Sequence, residues 1–283
     1  FFIYLYKHYK CKKMKISDGF THWLEKETNK TLEWAHDDEE KLFKELLKKE
    51  PTNPSLHYYL ENPITYELNN YGFRSPVDYV EGMEGNVFLG CSHTMGIGHY
   101  LENTWSWKVN EYVGGNFINL GVGGSGIGTG FRLLYSFKDI VKPKNVFLYY
   151  PHTYRFEFFS PRRQNWRILD LPNDKVARKN KKFLLEQNNA EMYYYLHYSA
   201  IKNLCYELNI PLYYVSKWIS LWPEEPIEND PLPHCSRDGH PPPSFHTNLF
   251  EKFKQVYDSK EYIYSKPEEL SDFEYIKELK PIL

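Results

Sequence analysis

Four short runs of apolar or aromatic residues, Val87 to Leu89, Phe117 to Leu120, Val146 to Tyr150 and Leu212 to Val215, are nearly continuous rather than alternating. Helical spacing fills the intervals between them, over about Gly98 to Val113, Gly128 to Ile140 and Asp174 to Leu208. A strand that is apolar at every position must be covered on both faces, and helices are what cover a parallel sheet. The pattern predicts an α/β fold with a parallel sheet between two helical layers. In such sheets ligands bind beyond the carboxyl ends of the strands.

The rest of the chain arranges itself around that core. Residues 1–75 read as an accessory arm, with a helix over His36 to Lys49 that carries Leu42, Phe43, Leu46 and Leu47 behind an acidic start at Asp37 to Glu40. Pro51, Pro54 and Pro63 break that helix, and Ile64 to Phe73 suggests a short strand pair or an extended arm. The α/β domain spans 76–260 and a C-terminal extension spans 261–283. A helical insert is expected around 155–200, with Arg155, Arg162, Arg163, Trp166 and Arg167 forming a lid over the strand ends. Trp222 to Pro243 holds seven prolines and reads as a loop, after which Ser244 to Tyr257 resumes a helical pattern.

Composition narrows the partners. The 35 basic and 37 acidic residues nearly cancel, which leaves no basic field for nucleic acid. Cys11, Cys91, Cys205 and Cys235 are scattered, without the paired spacing of a disulfide framework, so a reducing compartment is expected. Phe1 to Tyr6 is apolar but runs into Lys7, Lys10, Lys12 and Lys13, too short for a signal-peptide core or a membrane span. The expectation is a cytoplasmic protein that does not engage a membrane. Phe1 in place of an initiator methionine leaves room for an export signal upstream.

Chemistry concentrates at the strand ends. Gly90-Cys91-Ser92-His93-Thr94-Met95-Gly96 follows the first strand and reads as a tight turn that holds a serine hydroxyl at the lip of the sheet. A serine that only caps the next helix is the plainer reading. Asp238-Gly239-His240-Pro241, ahead of the last helix, offers a histidine to take the serine proton and an acid to orient it. Gly121 to Gly126 follows the second strand and His152 the third, so these segments converge on one rim. Gly121-x-Gly123-x-x-Gly126 also matches a dinucleotide fingerprint, but no acidic residue ends the next strand to hold a ribose. His234, Cys235, His240 and His246 fit no common zinc spacing.

In four ordered blocks over about residues 64–258 the chain resembles the SGNH or GDSL-type hydrolases. Gly90-Cys91-Ser92 is similar to the family's Gly-Asp-Ser turn with cysteine for aspartate, and Tyr66 to Arg74, with Asn69-Asn70-Tyr71-Gly72-Phe73-Arg74, resembles its Asn-x-x-Gly-Phe-Arg lead-in. Asn119-Leu120-Gly121-Val122-Gly123-Gly124 resembles the second block. The third block departs, with Tyr150-Pro151-His152-Thr153 where the family has Gly-x-Asn-Asp. His152 either replaces the family's asparagine as a donor or is an ordinary rim histidine. The fourth block is one residue short between Asp238 and His240, which leaves Asp230 or a backbone carbonyl as alternative orienters.

The resemblance implies a three-layer flavodoxin-like fold and a metal-free serine esterase that needs no cofactor. Ser92 would be the nucleophile, His240 the base and Asp238 its orienter, with Ser92, Gly124 and His152 forming the oxyanion hole. His93, Asn119, Tyr154 and Arg155 are expected to contact substrate, with Trp105, Trp107 or Trp166 stacking on a sugar. The implied substrate is a small-molecule or glycan ester, such as an O-acetylated carbohydrate. A binding protein that has lost catalysis, and an O-acyltransferase using the same Ser and His, remain as alternatives. The sequence does not define the oligomeric state.

Overall fold

The computed structural model describes residues 22, 25–35, 38–160, 165–170, 187–215, 236–237 and 240–260. In chain order the elements are β1 (Thr31–Leu32), α1 (Glu40–Lys49), α2 (Pro54–Glu61), β2 (Tyr66–Glu67), β3 (Met83–Gly90), the one-turn α3 (Ser92–Met95) and α4 (Trp105–Val113). They continue with β4 (Asn116–Asn119), α5 (Ile127–Phe137), β5 (Val141–Tyr149), β6 (Arg155–Ser160), β7 (Asn165–Asp170), α6 (Gln187–Glu207), β8 (Leu212–Tyr214) and α7 (Pro243–Asp258).

The four predicted apolar runs form one parallel sheet in the order β4-β3-β5-β8, with Val87 opposite both Ile118 and Val146, and Leu148 opposite Tyr214. Side chains alternate between its faces, as strand geometry requires. Val87, Leu89, Ile118, Val146, Leu148 and Leu212 meet Leu133, Leu134 and Phe137 of α5 and Tyr194, Ile201 and Cys205 of α6. On the other face Phe88, Phe117, Phe147 and Tyr213 meet Trp105 and Val109 of α4 and Phe245, Leu249 and Phe253 of α7. That second face is an aromatic stack, with centroids 5.1 Å apart for Phe88–Phe147, 4.9 Å for Phe147–Tyr213 and 4.5 Å for Trp105–Phe253. Each such buried side chain contributes roughly 1.5–3 kcal/mol.

Pro143 lies in β5 yet lacks an N–H to donate. The β3–β5 register shifts between Gly85 and Asn86, opposite Pro143 and Asn145, and β8 begins to pair only at Val146, so the proline occupies a bulge outside the fully paired part of the sheet.

The connection leaving β3 leads to β4 on one side, whereas that leaving β5 leads toward β8 on the other. The crevice opened by this reversal lies between the carboxyl ends of β3 and β5. Ser92 follows one of these strands and His152 the other.

Before the sheet, β1 and β2 pair antiparallel, and Phe43, Leu56, Tyr59, Ile64, Tyr66 and Leu68 form a third core with Met95 and Ile97 from the segment after β3. The expected helical insert is corrected over its first part: β6 and β7 form an antiparallel hairpin, with Phe156 opposite Leu169 and Phe158 opposite Arg167. Its aromatic and β-branched residues favour a pleated strand over a helix. Helix α6 then begins at Gln187. Arg162, Arg163 and the extension at 261–283 lie outside the described residues. Among the described residues no helix is long and apolar enough to cross a membrane.

Candidate functional site

The site begins where β3 turns into α3. A Cβ on Gly90 would fall 1.8 Å from Thr94 Oγ1 and 2.6 Å from the Tyr149 carbonyl oxygen, so only glycine lets the chain turn this tightly against β5. Ser92, the first residue of α3, is buried. Its hydroxyl donates weakly to Cys91 Sγ at 4.0 Å and is not hydrogen-bonded to His240. Gly96 closes the turn at φ 78°, a conformation glycine adopts without strain. Arg74, buried in the third core, holds the turn from below by donating to the carbonyls of Met95 at 3.3 Å and His99 at 2.8 Å, and to that of Gly96. Its guanidinium stacks on Tyr66 at 4.3 Å.

The second segment crosses the end of β3. Val122 N–H and Ser125 Oγ both donate to the Gly90 carbonyl, at 3.1 Å and 3.3 Å. Ser125 N–H bonds back to Val122 O at 3.1 Å, and Gly124 between them has φ 70°, the third-position geometry of a type II turn. That turn leaves the Gly124 N–H out of its own hydrogen bond. Gly121 and Gly126 have packing roles. A Cβ on Gly121 would lie 2.8 Å from Met95 N, and one on Gly126 would lie 2.3 Å from Arg155 O, where the hairpin crosses the start of α5.

His93 is the hub of the rim. Its ring meets His152 at 6.1 Å, His240 at 5.9 Å, Phe245 at 5.4 Å and Tyr149 at 6.3 Å between centroids. Burial, and then the neighbouring His240, His152, Arg155 and His99, hold its pKa well below the usual histidine value. His152 is lowered to about 4, chiefly by burial, with Arg155 and His240 adding to it. Both rings are therefore neutral near pH 7. The His152 Nδ1 lies 2.8 Å from the Tyr154 hydroxyl. With that hydroxyl donating to Nδ1, the ring proton resides on Nε2.

The segment carrying His240 is fastened on several sides. Ser236 Oγ donates to His240 O at 2.7 Å, and His99 Nε2–H donates to Pro241 O at 2.8 Å. Arg237 N–H donates to Gly98 O at 3.2 Å. The Arg237 guanidinium is buried against Asp38, with Nε 2.9 Å and 3.0 Å from the two carboxylate oxygens, and lies 3.9 Å over the Trp34 ring. His246 is not on the rim. Its Nδ1 accepts Trp105 N–H at 3.2 Å, and its ring packs 4.5 Å from that of His99.

His152, bonded to Tyr154, and His240 thus meet at His93, the residue after Ser92, while the Gly124 turn is bonded to Gly90 at the end of β3 and Arg155 opens the hairpin. Asn119 does not join them. It is fully buried, its amide donating to Arg74 O at 3.2 Å while its carbonyl accepts Gly121 N–H at 2.9 Å, so it builds the turn rather than facing substrate. Trp105 is likewise buried in the aromatic stack, and Trp107 packs against Phe117 at 5.1 Å. Trp166 lies under the Arg132 guanidinium at 4.7 Å. Asp238, Asp230, His234 and Cys235 lie outside the described residues. Sequence reasoning passed over His99, Asp38 and the pairing role of Arg237, which act through contacts distant in sequence.

Among the described residues no group of three His, Cys, Asp or Glu side chains is placed to hold a metal ion. No family model matches the chain, and neither a curated protein nor a solved structure does.

Proposed function

We propose that the chain is a serine ester hydrolase of the SGNH type, on a three-layer flavodoxin-like fold, acting in a reducing, cytoplasmic compartment on a small acyl ester such as an O-acetylated carbohydrate. The observation that supports the reading is the packing of His152 and His240 on His93, the residue directly after Ser92, beside the crevice between β3 and β5. The free thiols of Cys91 and Cys205 suit the compartment.

In this reading Ser92 Oγ attacks the ester carbonyl while His240 takes its proton. The tetrahedral oxyanion is met by Ser92 N–H at the start of α3, by Gly124 N–H and by His152 Nε2–H, each such donor contributing about 3–4 kcal/mol when aimed at the developing charge. His240 then protonates the leaving alcohol, and water attacks the acyl-enzyme with His240 again as base. Asp238 is assigned to orient His240, and His93, Tyr154 and Arg155 to contact substrate. No cofactor or metal takes part.

The direction of the Ser92 hydroxyl, toward Cys91 Sγ, favours a second reading, a binding protein on the same fold. In free enzymes the serine–histidine bond is commonly loose and tightens when substrate binds, so this direction does not exclude catalysis. Labelling with a fluorophosphonate followed by peptide mapping separates the two. A single adduct on Ser92, abolished in Ser92→Ala together with p-nitrophenyl acetate hydrolysis, is expected. A well-folded protein without an adduct would sink the hydrolase reading.

A further inference from the structure

We infer that Asp38, in the N-terminal segment, is a positioning residue that sets His240 against Ser92 through Arg237, a role that rests on the hydrolase reading above. The carboxylate lies where three pieces of chain meet. Arg237 Nε reaches its oxygens at 2.9 Å and 3.0 Å, and Nη2 donates to Asp38 as well as to Glu33 O at 2.6 Å. Tyr66 donates its hydroxyl to Asp38 and accepts Gly98 N–H at 2.9 Å. The carbonyl of the same Gly98 accepts Arg237 N–H at 3.2 Å. Gly98 belongs to the segment that begins at Ser92, and Arg237 lies three residues before His240. One buried carboxylate therefore grips the serine segment through Tyr66 and the histidine segment through Arg237.

Side-chain exposure is 2% for Arg237 and 0% for Asp38. A buried ion pair adds little stability that well-packed apolar residues would not supply, because both charges lose their water. What apolar residues lack is direction: the planar guanidinium fork holds its partner in one orientation. Nucleophile and base from distant parts of the chain need that definition, since an error of about 1 Å can cost on the order of 10²-fold in rate.

The test compares the intact wild-type chain with Arg237→Lys and with the apolar double variant Asp38→Leu/Arg237→Met, each checked for folding by circular dichroism and thermal unfolding. In the folded double variant kcat on p-nitrophenyl acetate should fall at least about tenfold with KM nearly unchanged, and fluorophosphonate labelling of Ser92 should slow by the same factor. Arg237→Lys should recover part of the loss, and it carries the test alone if the double variant does not fold. Wild-type kcat in a folded double variant, or in Arg237→Lys where that variant alone is folded, would overturn the role.

Hydrogen exchange provides a readout that does not depend on activity. Peptides carrying Gly98, and those carrying Arg237 and His240, should gain deuterium faster together in the variants while β3 and β5 stay protected. If wild type shows neither labelling nor turnover, the hydrolase reading fails, and coupled exchange would still support the clamp. Unchanged exchange at both segments would overturn it.

Discussion

The rings of His93 and His240 meet nearly perpendicular, at 85°, with centroids 5.9 Å apart. The residue directly after the proposed nucleophile is thereby a wall against the proposed base. Because burial holds His93 neutral near pH 7, it crowds His240 without adding a positive charge beside it. His93 and His240 come together through this packing even though they lie 147 positions apart in sequence.

His240 and His246 should separate cleanly on mutation. His240→Ala should lower kcat by about 10³-fold or more with little change in Tm. His246→Ala removes the acceptor for Trp105 N–H and opens a void beside His99, so it should cost about 1–3 kcal/mol of stability while leaving kcat of the folded fraction within a few-fold. Chemical denaturation and steady-state kinetics on the two variants check this. A kinetic defect larger in His246→Ala than in His240→Ala would reverse the assignment.

That contrast shows what was legible in the chain. Val87 to Leu89, Val146 to Tyr150 and their partners could be read as buried parallel strands because strand burial on both faces leaves a local signature. Ser92, Gly124, His152 and His240 stand out as candidates because each follows or precedes such an element. An asparagine in a glycine-rich turn looks like a site group, whereas Asn119 is buried and its amide bonds to the backbone of Arg74 and Gly121. The hairpin was hidden because Arg155 to Asp170 mixes charge and aromatic rings without clean alternation of polarity. The Asp38–Arg237 pair spans 199 positions, and a contact at that separation leaves no local pattern to find.

Gly90 is predicted to be intolerant of even one methyl group. A Cβ there meets Thr94 Oγ1 at 1.8 Å and, more seriously, the Tyr149 backbone oxygen at 2.6 Å, so β3, α3 and β5 cannot all keep their places. Gly90→Ala should cost at least about 1–3 kcal/mol and reduce Ser92 labelling in whatever fraction folds. A urea titration and a labelling time course decide it, and wild-type values in both would refute the close-packing argument.

Stability should fall as pH drops below neutrality. His22 and His152 are lowered to about 4, and His93 and His246 lie well below the usual value, in each case chiefly through burial. In the unfolded chain these rings take up protons near pH 6.5, while in the folded protein His22 and His152 do so only near pH 4 and His93 and His246 only well below the usual histidine value. Between those values the unfolded state binds more protons, so acid favours unfolding, by up to about 1.4 kcal/mol per pH unit for each proton. The urea midpoint should therefore be lower at pH 5 than at pH 7, above the window where most carboxylates titrate. His93→Gln should flatten the dependence, and identical midpoints at the two pH values in wild type would contradict the burial of these rings.

The oxyanion role assigned to His152 makes Tyr154 a control on its tautomer. Tyr154 Oη lies 2.8 Å from Nδ1, and the oxyanion role requires the tautomer in which the hydroxyl donates there and the neutral ring carries its proton on Nε2. Tyr154→Phe removes the donor and lets the proton move to Nδ1, so kcat should fall several-fold while KM changes little. His152→Ala should lower kcat by about 10²-fold. His152→Asn, which presents an amide N–H without any tautomer, should recover part of that loss and be insensitive to a further Tyr154→Phe change. The double-mutant cycle on kcat reads this directly: full additivity of His152→Asn and Tyr154→Phe would mean that Tyr154 acts on catalysis by a route other than the imidazole, and the tautomer argument would fall.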